Sequence, residues 1–499
     1  MKKNIIYKFL VAIMLLFSLG ACEDYLDINV DPDNPTTATP FQLLPAVQMN
    51  MAFTTQDALN RMTSTFVQRL NNFRFEFFAL NGGDTNNDWN RMYRTLLNAE
   101  DIITIGTEQE QWHYVGVAKI LKAYMYSVMV DLFNDVPYTE ASLGATNFSA
   151  KFDDGAMVYD EAFALLDEGI ADLQKESKAV LGATGDDLTY GGDLEKWEKM
   201  ANTLKLKLLN QIRLADPQRA TEGINALLAN PDKLIGGNNE NFSIPFFNSS
   251  APLNWHPYYQ TFHSSKGEND LCTFYDQLLT TNNDPRYPYL IYQQSGAFEG
   301  RDPADALTNR GNDDDTKSIF AIYINGGLYD DGGAKAVDAT DGTGDAPARL
   351  VTYFMRKFIE AEAVLTLPGV SGDAKALLEE AIRASFSDVN VFSVSRGAPE
   401  ISSEDIDTYV AARLDAYDNA TTDAERLEVI MVDKYVALSG NGIESYNDYR
   451  RTGFPVLSTP IQPDGPWPLR LPYASDEIES NPNAPTQPLE TEPVFWDMN

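Results

Sequence analysis

Residues 117–132 read VAKILKAYMYSVMVDL, and this stretch decides the fold that the rest of the sequence can adopt. Its apolar residues follow one another at steps of four and three, at positions Val117, Leu121, Tyr124, Val128 and Leu132. Side chains at that spacing lie on one face of an α-helix. The pattern therefore predicts a helix over about residues 110–133 whose apolar stripe faces a core.

The same period recurs along much of the chain. Its positions are Tyr159, Phe163, Leu166, Ile170 and Leu173; Trp197, Met200, Leu204 and Leu208; Phe354, Phe358, Ala361 and Leu365; and Leu427, Ile430, Met431, Tyr435 and Leu438. Further helices are predicted near residues 42–58, 61–79, 87–105, 373–386 and 402–416. Each stripe needs a neighbouring helix to cover it, and stacked helix pairs of the tetratricopeptide type provide one. The sequence thus predicts a mainly α fold with a tetratricopeptide-like scaffold of helix pairs.

The helical period is lost between residues 236 and 348, where Gly, Asn, Asp, Pro and Tyr dominate. A loop region of this length within a compact protein is unusual and is more often functional than idle. A short strand is predicted inside it at 318–324. From residue 41 onward we expect one domain with four parts: an N-terminal helical scaffold (41–235), a loop-rich binding region (236–348), C-terminal helices (349–453) and an extended proline-rich tail (454–499).

The first 21 residues have the form of a lipoprotein signal peptide. Three lysines precede an apolar run at 9–19, and Leu19, Gly20 and Ala21 lead directly into Cys22. The run is shorter than the roughly 20 residues that span a bilayer. An ordinary signal peptide with an incidental cysteine is the alternative, but such a site favours a small residue where Leu19 stands. We predict cleavage before Cys22, a lipid such as palmitate on Cys22, and an acidic tether over residues 22–40.

The predicted mature chain is strongly acidic. Removal of residues 1–21, which contain three lysines and no acidic residue, takes the formal charge from −35 to −38. Nucleic-acid binding needs clustered Lys and Arg, so this charge argues against such a partner. It favours a protein held away from anionic lipid headgroups, or one that receives neutral or cationic ligands. Cys272 is the other cysteine besides Cys22, so stability must come from a core and not from an intramolecular disulfide.

Aromatic residues in the loop-rich region are the candidates for ligand binding. Flat rings with polar edges stack on sugar rings or on peptide side chains. Loops on a rigid scaffold also carry a large share of the binding residues in proteins. Plain packing is the alternative role, because buried Tyr and Trp are common. The candidates are Trp255, Tyr258, Tyr259, Tyr287, Tyr289 and Tyr292.

Motifs for catalysis or metal binding are weak. The histidines are His113, His256 and His263, none with a partner at zinc-ligand spacing. The sequence has no Gly-x-Ser-x-Gly motif and no phosphate-binding G-x-x-x-x-G-K motif. Acidic residues in Gly-rich loops could hold a structural calcium ion through oxygen ligands, although Lys317 breaks the EF-hand pattern. The calcium candidates are Asp313, Asp315, Asp330 and Asp331.

Seven motifs carry a resemblance to a known family. They are DPDNPTTATPFQLLPA at 31–46, DLFNDVPY at 131–138, Trp197 with ANTLKLK at 201–207, EAEA at 360–363, GIESYNDYRRTGFP at 442–455, RLPY at 470–473 with Glu477 and Asn481, and FWD at 495–497. Their order along the chain resembles that of the SusD-like (SusD/RagB) nutrient-binding outer-membrane lipoproteins of the Bacteroidetes. One departure is Phe495, where a second tryptophan is commoner.

The resemblance implies a helical scaffold of tetratricopeptide-like pairs with a loop-rich portion that holds the ligand. It also implies a partner, a SusC-like TonB-dependent transporter of the outer membrane, and a surface-exposed lipoprotein that delivers a nutrient to it. Glu23, Asp24 and Asp27 after the lipidated cysteine resemble the signal for export to the cell surface. We expect an oligosaccharide ligand and no enzymatic activity. A peptide-binding lipoprotein, a surface glycoside hydrolase with two carboxylates and a protein that only grips the transporter are the alternatives.

Overall fold

The computed structural model describes residues 38–72, 78–143, 147–248, 254–264, 266, 269–305 and 314–499. The predicted signal peptide, Cys22 and the tether up to residue 37 lie outside these ranges. Within them, none of the helices is both long and apolar enough to cross a bilayer.

The N-terminal part is a stack of helices. They are α1 Pro40–Gln56, α2 Ala58–Phe66, α3 Asn86–Glu108, α4 Trp112–Phe133, α5 Gly155–Leu173, α6 Leu194–Gln211 and α7 Pro217–Leu228, with single 3₁₀ turns at Gly82–Thr85, Pro231–Lys233 and Asn238–Glu240. α1 packs on α3, α3 on α4, and then each helix from α4 to α7 on the next. This arrangement is the predicted series of helix pairs, and the mainly α, tetratricopeptide-like fold is confirmed.

Helix α4 lies at the centre of this stack. Val117, Leu121, Val128 and Leu132 are almost fully buried, as the period predicts. The opposite face of α4 is buried as well, because α3 and α5 cover it from two sides. Gly116 allows the close approach of α5, since a Cβ added there would lie 2.7 Å from the carbonyl oxygen of Gly169.

The middle and C-terminal parts complete the domain. The middle contains the short helices α8 Pro257–Tyr259, α9 Thr273–Thr281, α10 Tyr287–Leu290 and α11 Ile322–Asn325, and the C-terminal part contains α12 Tyr353–Thr366, α13 Ala374–Val394, α14 Ser403–Asn419, α15 Asp423–Ala437, α16 Gly442–Thr452 and α17 Ser475–Ser480. Helices α12 to α15 pack on one another, α12 also contacts α6, and α16 packs on α2. The two helical parts therefore share one core.

Short antiparallel strand pairs fasten the loop-rich region. The strands are β1 Leu70–Asn72, β2 Phe242–Ile244, β3 Asn269–Leu271, β4 Ile291–Gln293, β5 Ser318–Phe320 and β6 Ala348–Val351. They pair as β1 with β3, β2 with β6 and β4 with β5. Each pair joins segments that are far apart in the sequence, so the loops between them start from fixed positions.

Three local predictions need correction. The helix predicted over 61–79 ends at Phe66, because Gln68 adopts a left-handed backbone (φ 59°) and the chain then forms β1. The strand predicted over 318–324 ends at Phe320, where the helical turn α11 begins two residues later. The loop-rich region also contains helix α9, whose Phe274, Tyr275 and Leu279 are buried.

A buried ionic network joins the two helical parts. Both carboxylate oxygens of Glu362 on α12 accept hydrogen bonds from Arg451 on α16, at 2.9 Å each. Arg213 lies 3.0 Å from the same carboxylate, and Asp448 accepts a 2.8 Å bond from Lys434. The sequence motifs at 201–207, 360–363 and 442–455 lie next to this network or contribute to it, which gives their residues a structural role.

Candidate functional site

Several of the aromatic candidates are buried. Tyr258 has no exposed surface, and its hydroxyl group lies 3.2 Å from the hydroxyl of Ser64. The Tyr289 hydroxyl donates to the carbonyl of Pro399 at 2.7 Å, and the Tyr292 hydroxyl donates to that of Lys335 at 3.2 Å. Each of these three rings is at most 3% exposed and packs in the core. In this conformation they support the loops around them and present no open ring face.

Tyr287 is only partly buried, but its hydroxyl group is already engaged. It donates to Asp276 at 2.7 Å and accepts a bond of 2.8 Å from the side chain of Gln293. Trp255 is also partly buried, and it lies in a different loop, directly before α8. Of the six candidates, Trp255 is the residue around which a site can be described.

The backbone before α8 fixes the position of Trp255. His256 is the N-cap residue of α8, and its ring Nδ1 accepts the backbone N–H of Tyr258 at 3.1 Å. The backbone N–H of His256 donates to the carbonyl of Gly344 at 2.8 Å. Helix α8 continues as a π-helical turn over Gln260–Ser264, a conformation that is frequent at functional sites. Trp255 is therefore held between this turn and the loop that contains Gly344.

Tyr259 supports the Trp255 ring from the side. The two ring centroids are 5.3 Å apart with an angle of 71° between the planes, an edge-to-face contact. The other neighbour of Tyr259 is His263, stacked at 4.5 Å and 14°. The Tyr259 hydroxyl group lies 3.1 Å from the carbonyl oxygen of Ala339 and 2.8 Å from that of Asp341. The stack is thereby fastened to the segment that leads into Gly344.

Gly344 lies directly against both rings. It has a left-handed backbone (φ 65°), and a Cβ there would lie 2.7 Å from Tyr259 Cδ1 and 3.1 Å from Trp255 Cδ1. A side chain at this position would force the rings to move, in a backbone conformation that already disfavours other residues. Glycine at position 344 is therefore required for the observed arrangement.

An ion pair borders this arrangement. Asp345, which follows Gly344, accepts two bonds from the guanidinium of Arg396, at 2.8 Å from Nη2 and 3.2 Å from Nε. Arg396 follows α13, and its guanidinium carbon lies 5.1 Å from the ring centroid of Phe392. Its side chain remains 33% exposed. We call the surface formed by Trp255, Asp345 and Arg396, together with the buried Tyr259 (2% exposed) and Gly344 that contact Trp255, the Trp255 face.

The histidines near the Trp255 face are uncharged at neutral pH. Burial lowers the pKa of His256 to about 3, and burial likewise lowers the pKa of His263 to about 3. Burial raises the pKa of Tyr259, and the nearby Asp341 and Asp338 add to this effect. The face therefore offers the partly exposed Trp255 ring and one balanced ion pair, which suits binding by stacking and hydrogen bonding.

The calcium candidates do not come together in the described part of the chain. There, no group of three or more His, Cys, Asp or Glu side chains is placed to hold a metal ion. Asp315 instead forms an ion pair with Lys266 at 2.7 Å, and Asp330 accepts backbone N–H groups from Gln293 and Gly332. Asp331 accepts the backbone N–H of Gly333. Asp313 lies outside the described residues, so calcium binding stays a prediction.

A separate groove lies on the helical scaffold. It has a volume of about 590 Å³ and runs between α5, α6 and α7, with Phe163, Leu209, Arg219 and Glu222 among its lining residues. Two of its lining residues are in ion pairs, Lys205 with Asp167 of the lining and Arg219 with Asp160 outside it. The groove is large enough for a small molecule, but the sequence analysis did not point to it.

Trp255 and Tyr259 are among the ligand-binding candidates expected from the sequence, whereas Asp345 and Arg396 are not. The ion pair joins residues 51 positions apart, and neither residue belongs to a local pattern that indicates binding. The Gly-rich loop before Gly344 supports the aromatic stack through the carbonyl oxygens of Ala339 and Asp341.

The model of a SusD-like family, described as "Starch-binding associating with outer membrane", matches residues 32–474. No curated protein matches the sequence at a significant level.

Solved structures share the fold over nearly the whole chain. A chitin-binding protein is 23% identical with a TM-score of 0.72, covering 92% of this chain and 100% of its own. A SusD/RagB family protein from Bacteroides thetaiotaomicron is 22% identical with a TM-score of 0.73, covering 93% and 99%. A chitin-binding SusD homologue from Flavobacterium johnsoniae is 20% identical with a TM-score of 0.71, covering 92% and 97%.

Proposed function

The chain belongs to the SusD-like family, whose members are described as starch-binding and associated with the outer membrane, and on this premise we propose that it captures an oligosaccharide for uptake. The observation that carries the proposal is the family match over residues 32–474. The proposal contains no catalytic step, because capture followed by release needs only differential binding. The ligand would be handed to a partner SusC-like TonB-dependent transporter.

The Trp255 face is the part of the described chain that we propose as the binding site. A sugar ring presents apolar C–H groups on its face and hydroxyl groups around its edge. An indole ring can stack on the C–H groups, and the Asp345–Arg396 pair can form hydrogen bonds with the hydroxyl groups. Because Trp255 is held by Tyr259 and Gly344, little conformational freedom would be lost on binding.

The proposed ligand class follows from the relatives. The family description names starch, and two of the similar structures are chitin-binding proteins. Both polymers are uncharged chains of pyranose rings, which suits a face with a balanced ion pair. A neutral oligosaccharide of the starch or chitin type is therefore the ligand to test first.

The location of the protein is the second part of the proposal. We infer that Cys22 carries a lipid which holds the protein at the outer membrane, with the body facing the exterior. The family's association with the outer membrane supports the anchor. The acidic residues after Cys22 in the sequence support export to the surface, as the resemblance implies.

The test is a titration with maltohexaose and chitohexaose by isothermal calorimetry. Trp255→Ala should weaken binding of at least one of them about tenfold or more, because stacking on one aromatic ring contributes on the order of 1–2 kcal/mol. The matched control is Trp112→Ala, which removes a partly buried tryptophan at the start of α4 that lies under Lys175. Equal binding by both variants and the wild type would refute the site, and a wild-type protein that binds no glycan would refute the function.

A further inference from the structure

The ion pair of the Trp255 face has geometry that goes beyond a surface salt bridge. Its two bonds run in parallel from one edge of the guanidinium to the two oxygens of Asp345, at 2.8 and 3.2 Å. The third nitrogen of Arg396, Nη1, lies 3.0 Å from the hydroxyl oxygen of Ser395. Phe392 lies under the guanidinium carbon at 5.1 Å. Four contacts therefore fix the side chain although it is one third exposed.

The fixed pair still has capacity for further hydrogen bonds. A guanidinium has five N–H donors, and the contacts to Asp345 and Ser395 use three of them. Oδ1 of Asp345 also accepts a bond from Thr343, so the remaining lone pair of the carboxylate is on Oδ2, which accepts from Arg396 alone. Free donors and a free acceptor thus stand side by side, and the net charge of the pair is zero.

This arrangement matches one chemical class of ligand. Two neighbouring hydroxyl groups of a pyranose can each donate and accept, so together they can bond to Arg396 and Asp345 at once. A carboxylated sugar would be attracted by Arg396 but repelled by Asp345. A positively charged amino sugar would be attracted by Asp345 but repelled by Arg396. A neutral diol meets neither repulsion.

The pair also lies in the right place. Asp345 directly follows Gly344, and the Cα of Gly344 lies against the rings of Trp255 and Tyr259. Asp345 therefore adjoins, in the chain, the residue that contacts the Trp255 ring. Val391 (70% exposed) and Val394 (45% exposed), near the end of α13, precede Arg396 in the sequence.

Resting on the proposed function, we propose that Arg396 and Asp345 are specificity-determining residues that bond to adjacent hydroxyl groups of a neutral sugar at the Trp255 face and disfavour charged sugars. The alternative is that the pair only fastens the loop at residues 341–345 to α13. That purely structural role predicts a change in stability but no change in the ranking of ligands.

The experiment compares four probes: maltohexaose, chitohexaose, hexa-galacturonate and hexa-glucosamine. Arg396→Ala should weaken binding of the neutral ligand about tenfold or more, since hydrogen bonds to charged groups are the stronger class. Arg396→Lys keeps the charge without the parallel bonds and should give an intermediate loss. The matched control is Arg383→Ala, which removes an exposed ion-paired arginine from α13, the helix that precedes Arg396, and should bind like the wild type.

A charge exchange separates specificity from loop fastening. Asp345→Asn keeps the size of the side chain but leaves Arg396 uncompensated, so hexa-galacturonate should bind about tenfold better than it does to the wild type. Melting temperatures measured in parallel identify any variant that is not folded. The inference is overturned if folded Arg396→Ala binds the neutral ligand within twofold of the wild type, or if folded Asp345→Asn binds hexa-galacturonate no better than the wild type does. The proposed function remains intact in either case if Trp255→Ala still loses binding. A wild type that binds none of the four probes would overturn both.

Discussion

The buried carboxylate of Glu362 offers a quantitative test of how the two helical parts are joined. It is 0% exposed and accepts hydrogen bonds from Nε and Nη2 of Arg451 and from Asn210 at 3.0 Å, and it forms an ion pair with Arg213 at 3.0 Å. Glu362→Gln keeps the shape and leaves no cavity, but it removes the negative charge that compensates two buried guanidinium groups. Breaking a buried pair from one side costs about 3–5 kcal/mol.

The assay is urea unfolding followed by tryptophan fluorescence and far-UV circular dichroism at pH 7. We expect Glu362→Gln to lower the free energy of unfolding by about 3 kcal/mol or more. The matched control is Asp407→Asn, which breaks the exposed pair with Arg383 and should cost less than about 1 kcal/mol. Equal, small losses in both variants would refute the view that this network holds the scaffold together.

The pH dependence of the same variant adds a second check. Burial alone would raise the pKa of Glu362, but Arg451, Arg213 and Lys434 outweigh it and hold the pKa well below its ordinary value. A carboxyl group whose pKa is lowered on folding stabilises the protein above its unfolded pKa, and that contribution is lost as the pH falls. The difference between wild type and Glu362→Gln should therefore be full at pH 7 and shrink below about pH 4.5.

Three further variants test other parts of the structure. Burial raises the pKa of Asp88 to about 7, so its charged form destabilises the fold as the pH rises through 7. Asp88→Asn should therefore be more stable than the wild type by about 2–4 kcal/mol at pH 8 and equally stable at pH 4. The opposite order of the two proteins in urea unfolding would contradict this. Gly344→Ala should weaken glycan binding in calorimetry about tenfold, because the added Cβ would contact Tyr259 and Trp255. The control is Gly397→Ala, which should bind normally, because Gly397 also has a left-handed backbone (φ 88°) but no neighbour lies within 4 Å of the added Cβ. Cys22→Ala should release the protein from membranes in a fractionation experiment, and continued sedimentation with fatty-acid labelling would count against the anchor.

Local periodicity predicted most of the scaffold. The stripe at 117–132 predicts a buried helix, and α4 is that helix, because its steps of four and three follow directly from helical geometry. The end of α2 could not be predicted in this way. Its termination depends on the left-handed backbone of Gln68 and on the pairing of β1 with β3, whose residues lie about two hundred positions away.

The role of the aromatic residues was harder to predict than their position. The sequence does not distinguish Tyr258 and Tyr289 from Trp255, since all three are aromatic residues in a loop-rich region. Their burial depends on partners such as Ser64 and Pro399, which are remote in the sequence. The same holds for the motif at 442–455, in which Arg451 pairs with the remote Glu362, 89 positions earlier, and also donates to Gln211. Composition predicts the residue types of a site, while tertiary contacts decide which of them remain available.

The most direct test of the account is a crystal structure of the protein with a bound neutral oligosaccharide that saturates it in solution. The account predicts a sugar ring stacked on Trp255 with hydroxyl groups within hydrogen-bonding distance of Arg396 and Asp345. Density for the oligosaccharide in the groove between α5, α6 and α7, with Trp255 unoccupied, would contradict it.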